Sequence, residues 1–104
     1  MRRTSTPDHE FELPFVYDTY VDQMILTYSQ NGNNILEFTE KDIGKKIQIL
    51  DNKITVTLSQ DDTKDFSPGL ATVEIKLWTK ERRSIISDPI DIYVSDVQNE
   101  RIFV

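Results

Sequence analysis

The sequence predicts an all-β fold of about seven short antiparallel strands with one short helical turn. Three observations predict it. Apolar and polar residues alternate with period two through "ITVTLS", "TVEIKLW" and "PIDIYV", the mark of half-buried strands rather than helices. Turn chemistry separates the runs: "NGNN" at 31–34 and "DN" at 51–52 supply residues that tolerate the positive φ of tight hairpins, and "KERR" at 80–83 reads as a charged turn that closes a third hairpin. The helical turn is marked by Ser59-Gln60-Asp61-Asp62, which has the S-x-x-D shape of a capping box. Short strands with such turns fit a sandwich or a small barrel.

Each element follows in order. "MRRTSTPD", residues 1–8, reads as a flexible leader, and residues 9–104 as a single domain. In "HEFELPF", Phe11, Leu13 and Phe15 share one face while Glu10 and Glu12 take the other. "QMILTYS" (23–29) and "NILEFT" (34–39) flank the "NGNN" turn and form a hairpin; "KKIQIL" (45–50) and "ITVTLS" form another across "DN". In "TVEIKLW", Val73, Ile75 and Leu77 oppose Thr72, Glu74, Lys76 and Trp78. In "PIDIYV", Ile90, Ile92 and Val94 oppose Asp91 and Tyr93. These last two strands are expected to pair across "KERR", bringing Trp78 and Tyr93 onto one outward sheet face. Pro14 and Pro89 belong at edges or bulges, since proline gives no N–H to a ladder.

"TLSQDDTKDFSPG" gathers Asp61, Asp62 and Asp65 within five residues. A calcium loop needs its oxygen ligands in a set order with a distant Glu, and here a Lys interrupts the order. Carboxylates of one turn are poorly placed to flank a reacting bond from opposite sides. The capping reading accounts for more residues: Ser59 satisfies free N–H groups, Asp62 is favoured at the helix start, and Phe66 plugs the core. The same run resembles the E–F corner of immunoglobulin-like domains, where a strand, an Asp-bearing turn and an aromatic precede the next strand. It departs from that corner at Phe66, which lacks the hydroxyl of a tyrosine corner, and in having neither the Cys pair nor the strand C Trp. The resemblance implies an immunoglobulin-like β-sandwich.

Composition narrows function. A net charge of −6 argues against general nucleic-acid binding, which needs a basic face. With no Cys in the chain, thiolate zinc sites and thiol nucleophiles are excluded. No run approaches membrane-spanning length. The single His, His9, has no Ser in a G-x-S-x-G context to serve, and three glycines form no phosphate-cradling loop. The expectation is a protein without catalytic, cofactor or metal residues, and with no nucleic-acid or membrane partner. Trp78 and Tyr93, outward on their strands, are either shielded by the leader or the C-terminal tail or are interface candidates, as is Phe103 in the apolar chain end "RIFV".

Three motifs add a family resemblance: T-P-x-H-x-F-x-L-P-F (Thr6, Pro7, His9, Phe11, Leu13, Pro14, Phe15), T-Y-x-Q-x-G (Thr27, Tyr28, Gln30, Gly32) and L-x-Q-x-x-T-x-x-F (Leu58, Gln60, Thr63, Phe66). Together they resemble a group of small, mostly uncharacterised proteins encoded among the virion genes of phages and prophages of Gram-positive bacteria. The chain departs from the group at "KERR", where a Gly turn is usual. The resemblance implies a phage structural or assembly protein, an interaction module of the tail, baseplate or neck. It would then be found in the virion, or in host cytoplasm during assembly. Its partners would be other virion proteins, through homo-oligomerisation or docking to a tail or neck component. The alternative is a small ligand-binding or host-directed accessory β-domain.

Overall fold

β6 (Gly69–Thr79) organises the molecule, and its alternation sets the two faces of its sheet. Ala71, Val73, Ile75, Leu77 and Thr79 are buried, while Leu70, Glu74, Lys76 and Trp78 are exposed. The computed structural model describes residues 1–95. Around β6 it places β1 (Asp8–Glu12), α1 (Tyr17–Tyr20), β2 (Val21–Gln30), β3 (Asn33–Thr39), a 3-10 turn (Glu40–Asp42), β4 (Ile47–Leu50), β5 (Lys53–Thr57), α2 (Gln60–Lys64), β7 (Ser84–Ile86) and β8 (Ile90–Val94). Three short helical segments thus replace the single expected one.

The strands form two antiparallel sheets. One has the order β1-β5-β4; the other has β3-β2-β6, with β7 and β8 both on the far side of β6. In immunoglobulin terms, β1, β5 and β4 take the places of B, E and D, and β3, β2, β6 and the β7/β8 pair those of C′, C, F and G. The chain is an immunoglobulin-like β-sandwich. Leu26, Tyr28, Ile47, Ile54, Val56, Leu58 and Val73 are completely buried between the sheets. At about 25 cal/mol per Å² of apolar surface this layer is the main stabilising term.

Local chemistry sets the turns. Asn31 (φ 54°) and Gly32 (φ 78°) are both left-handed, the two-residue hairpin whose twist matches its strands. The strand after Lys80–Arg83 corrects the expected pairing. That turn leads into β7, which pairs with Lys76–Trp78, while the Tyr93 strand, β8, pairs with Gly69–Val73. The break between them has a cause. Ser87 closes the β7 ladder by giving its N–H to the Ile75 carbonyl (2.9 Å) and accepting the Ile75 N–H on its hydroxyl (2.9 Å). Pro89 has no N–H to continue the ladder. Trp78 and Tyr93 therefore share a sheet face but lie at its two ends. Tyr93 sits opposite Leu70, about 26 Å along β6 from Trp78 at the usual rise per residue.

Residues 1–8, read as a flexible leader, make specific bonds. The terminal ammonium donates to the Tyr93 carbonyl (2.7 Å). Ser95 N–H donates to the Met1 carbonyl (2.7 Å), and Leu58 N–H to the Pro7 carbonyl (3.0 Å). Strand pairing in the β1–β5 ladder begins at Asp8 opposite Thr57.

Candidate functional site

His9, Tyr28, Gln30, Thr63 and Phe66, drawn from the three motifs, meet at one end of the sandwich, and what they build there is structural. His9 continues the inward set of β1, a placement that its polar neighbours in sequence concealed. Its Nδ1 lies 2.6 Å from the Tyr28 hydroxyl on the opposite sheet. The Tyr28 ring meets Phe38 and Phe66 edge-on, with centroids 6.3 and 6.1 Å apart. Burial first, then the terminal ammonium, push His9 below the ordinary imidazole value against the smaller pull of Asp8. Burial and then Asp62 push the Tyr28 phenol well above its ordinary range. The phenol keeps its proton and His9 stays neutral, so the two share a hydrogen bond between uncharged groups. The phenol that His9 meets is completely buried.

Gln30, the polar residue of the second motif, is equally internal. Its side-chain amide donates to the Ser67 carbonyl (2.6 Å) and its oxygen accepts the Ser67 N–H (2.7 Å). Thr63 of the third motif donates from its hydroxyl to the Ser5 carbonyl (2.9 Å). Buried polar groups bonded to partners on other elements fix the elements they join. The N-terminal segment, β2 and α2 are locked together in this way.

The acidic turn divides its carboxylates among different tasks. Asp62 N–H donates to the Ser59 hydroxyl (3.2 Å), and Ser59 N–H donates back to the Asp62 carboxylate (2.9 Å). Lys46 reaches in from the β4 side to pair with Asp62, its Nζ 3.3 Å from the Ser59 hydroxyl. Burial pushes the Asp62 carboxyl up, but its bonds to Lys46 and Ser59 outweigh this and hold it below the usual carboxylate value. Asp61 lies 3.4 Å from Lys64 at the surface, and Asp65 caps the other end of α2. Phe66 is 1% exposed. Ser59→Ala is expected to destabilise by about 1 kcal/mol through the lost cap. Asp61→Ala, at an exposed pair, should stay within about 0.5 kcal/mol of the parent. Urea denaturation of the two variants makes the comparison.

The exposed apolar residues of the larger sheet stand apart from these motifs. On the outer face of the larger sheet, Trp78 is 40% and Tyr93 74% exposed. Ile25 and Trp78 edge a shallow hollow of about 200 Å³ with Gln23, Lys76 and Ser84, and exposed Ile86 lies beside Lys76 on the same sheet. Leu70 and Tyr93 make a second exposed apolar pair at the other end. Sequence reasoning did not single out Ile25, Ile86 or Leu70, although the outward phase of "QMILTYS" contained Ile25. Phe103 lies outside the described residues. A second apolar feature is a cleft of about 400 Å³ between β1 and β7. Comparison with protein families, curated proteins and solved structures finds no match to this chain.

Proposed function

We propose that the chain is a non-enzymatic protein–protein interaction module of a phage or prophage virion, part of a tail, baseplate or neck. Its contact surface is the outer face of the β3-β2-β6-β7/β8 sheet. The observation that supports contact is the uneven composition of that face. A solvated sheet face is polar along its length, as in the middle row where Glu37, Thr27 and Glu74 lie opposite one another. The two ends instead expose Trp78 with Ile25 and Ile86, and Tyr93 with Leu70. Large aromatics ringed by polar residues are the usual anchors of interfaces, because they bury much area with few rotatable bonds. The virion placement is supported by the three-motif resemblance alone.

Trp78→Ala combined with Tyr93→Ala should weaken self-association or docking while shifting the melting temperature little, since neither ring belongs to the buried layer. A melting curve beside light scattering tests it. Large destabilisation with unchanged mass would remove the interface reading. Mass spectrometry of washed particles tests the virion placement: the protein should be retained with the particle, and its loss on washing would count against that placement.

A further inference from the structure

Among the described residues, β1 leaves one edge of its ladder unmatched. Leu13 N–H donates to the Asn52 carbonyl (2.7 Å), and the Pro7 carbonyl accepts Leu58 N–H (3.0 Å). Backbone groups alternate in direction along an antiparallel strand, so those of His9 and Phe11 also face β5. The N–H and C=O groups of Asp8, Glu10 and Glu12 then point away from the sheet, where no described strand lies. Pro7 and Pro14 frame this edge.

Across the cleft, β7 is arranged the same way. Arg83 and Ser87 bond back to β6, so the backbone groups of Ser84 and Ile86 face outward. The cleft between the two edges has an apolar floor of Phe11, Ile75 and Leu77 and half-exposed walls that include Ile85 (41%) and Ile90 (37%). A small apolar ligand would fill this floor but leave both edges unpaired. An extended chain meets both demands, with main-chain bonds to an edge and alternate side chains in the cleft.

Charge defines the chain further. The outward side chains of β1 are Asp8, Glu10 and Glu12, and Lys53, 3.5 Å from Glu10, offsets one of them. Opposite charges across neighbouring strands stabilise and like charges destabilise. We propose that the β1 edge and the cleft form an acceptor for an extended partner segment, with apolar residues at alternate positions and Lys or Arg between them. The segment adds beside β1, its apolar residues directed at Phe11, Leu77 and Ile85 and its cations beside Glu10 and Glu12. This site is separate from the Trp78 face and does not depend on a virion origin.

The test uses the full chain and a labelled peptide, Lys-Ile-Lys-Val-Lys-Ile-Lys, with a control of the same composition whose apolar residues are adjacent. Anisotropy titration should show the alternating peptide binding at least about tenfold tighter than the control, since only it can pair and bury together. The Glu10 and Glu12 amides should become protected from hydrogen exchange on binding. Glu10→Pro removes an edge N–H that the β1–β5 ladder does not use, and it should weaken binding at least about tenfold. Ile85→Asp should do the same, and methylating the pairing amides of the peptide should abolish binding with the protein untouched, so the result survives a variant that fails to fold. Equal binding of the control, no binding at all, or unchanged affinity in folded Glu10→Pro would overturn the proposal. Binding that appears only in Phe103→Asp would assign the cleft to the chain's own end and overturn it too. So would a self-associated state that Glu10→Pro dissociates and the peptide does not, which would assign the edge to a second copy.

Discussion

Phe66→Ala is expected to lower the stability of the domain by about 3–5 kcal/mol, the range for deleting a buried aromatic ring. Phe66 is 1% exposed and stands between α2 and the Tyr28 ring, whose plane it meets at 77°. The cost of such a deletion depends on how far the surroundings can collapse. Here they are held. The Ser59–Asp62 box and the Lys46 pair fix α2 on one side, and the two Gln30–Ser67 bonds fix the chain just after the ring. The vacated volume therefore stays open. For a domain of this size each kcal/mol moves Tm by about 4–8 °C, so a fall of more than about 12 °C is expected. Urea denaturation should show a lower midpoint with an unchanged slope. A loss under about 1 kcal/mol would mean that the ring is dispensable and that the corner is held by its polar bonds alone.

The stability of the corner bears on what the sequence could reveal. The period-two runs of β5, β6 and β8 put Val56, Val73, Ile75 and Leu77 inside and Trp78 and Tyr93 outside, because burial repeats every second residue whatever the neighbouring strand is. The Asn31-Gly32 turn was legible for an equally local reason, the positive φ at both positions. Pairing was less so. Pro89 marked an edge or bulge in "SIISDPIDIYV", but not that the ladder closes at Ser87, because that depends on a side chain replacing a backbone acceptor in a strand already placed. Buried polar residues were the least legible. His9 and Gln30 carry polar labels, and only partners on other elements, Tyr28 and Ser67, make their burial affordable in free energy. The same fact limits what the motif resemblance says about partners. Its residues His9, Tyr28, Gln30, Thr63 and Phe66 close one end of the sandwich, so they speak first to how the chain folds. The proposed contact surfaces draw mainly on residues outside those motifs, such as Trp78, Ile86 and Tyr93, and on the first motif only at the cleft, where Phe11 lies beside the β1 edge.

Tyr28 is expected to be the most sensitive single position, and its two parts can be separated. Tyr28→Ala removes a fully buried ring that touches both sheets and should cost about 3–5 kcal/mol or unfold the domain. Tyr28→Phe keeps the ring and deletes the hydroxyl, leaving His9 Nδ1 unmet in a half-buried site, which should cost about 1–3 kcal/mol. The pH dependence belongs to His9 rather than to the phenol. His9 sits below its ordinary value of 6.5 when folded, with burial as the first cause. As pH falls through about 6.5, the unfolded chain takes up this proton before the folded one does, so stability declines with acidification. The His9 contribution is full above 6.5 and is lost between there and the lower folded value. Because burial sets the shift, Tyr28→Phe should retain this slope while lying below the parent at every pH. His9→Gln keeps an acceptor for the phenol but cannot titrate, so its stability should be flatter between pH 6.5 and 5 than the parent's. Melting temperatures of the parent and both variants across that interval decide the matter. An unaltered slope in His9→Gln would show that another group sets the acid limb, and a slope lost in Tyr28→Phe would show that the phenol, not burial, holds His9 neutral.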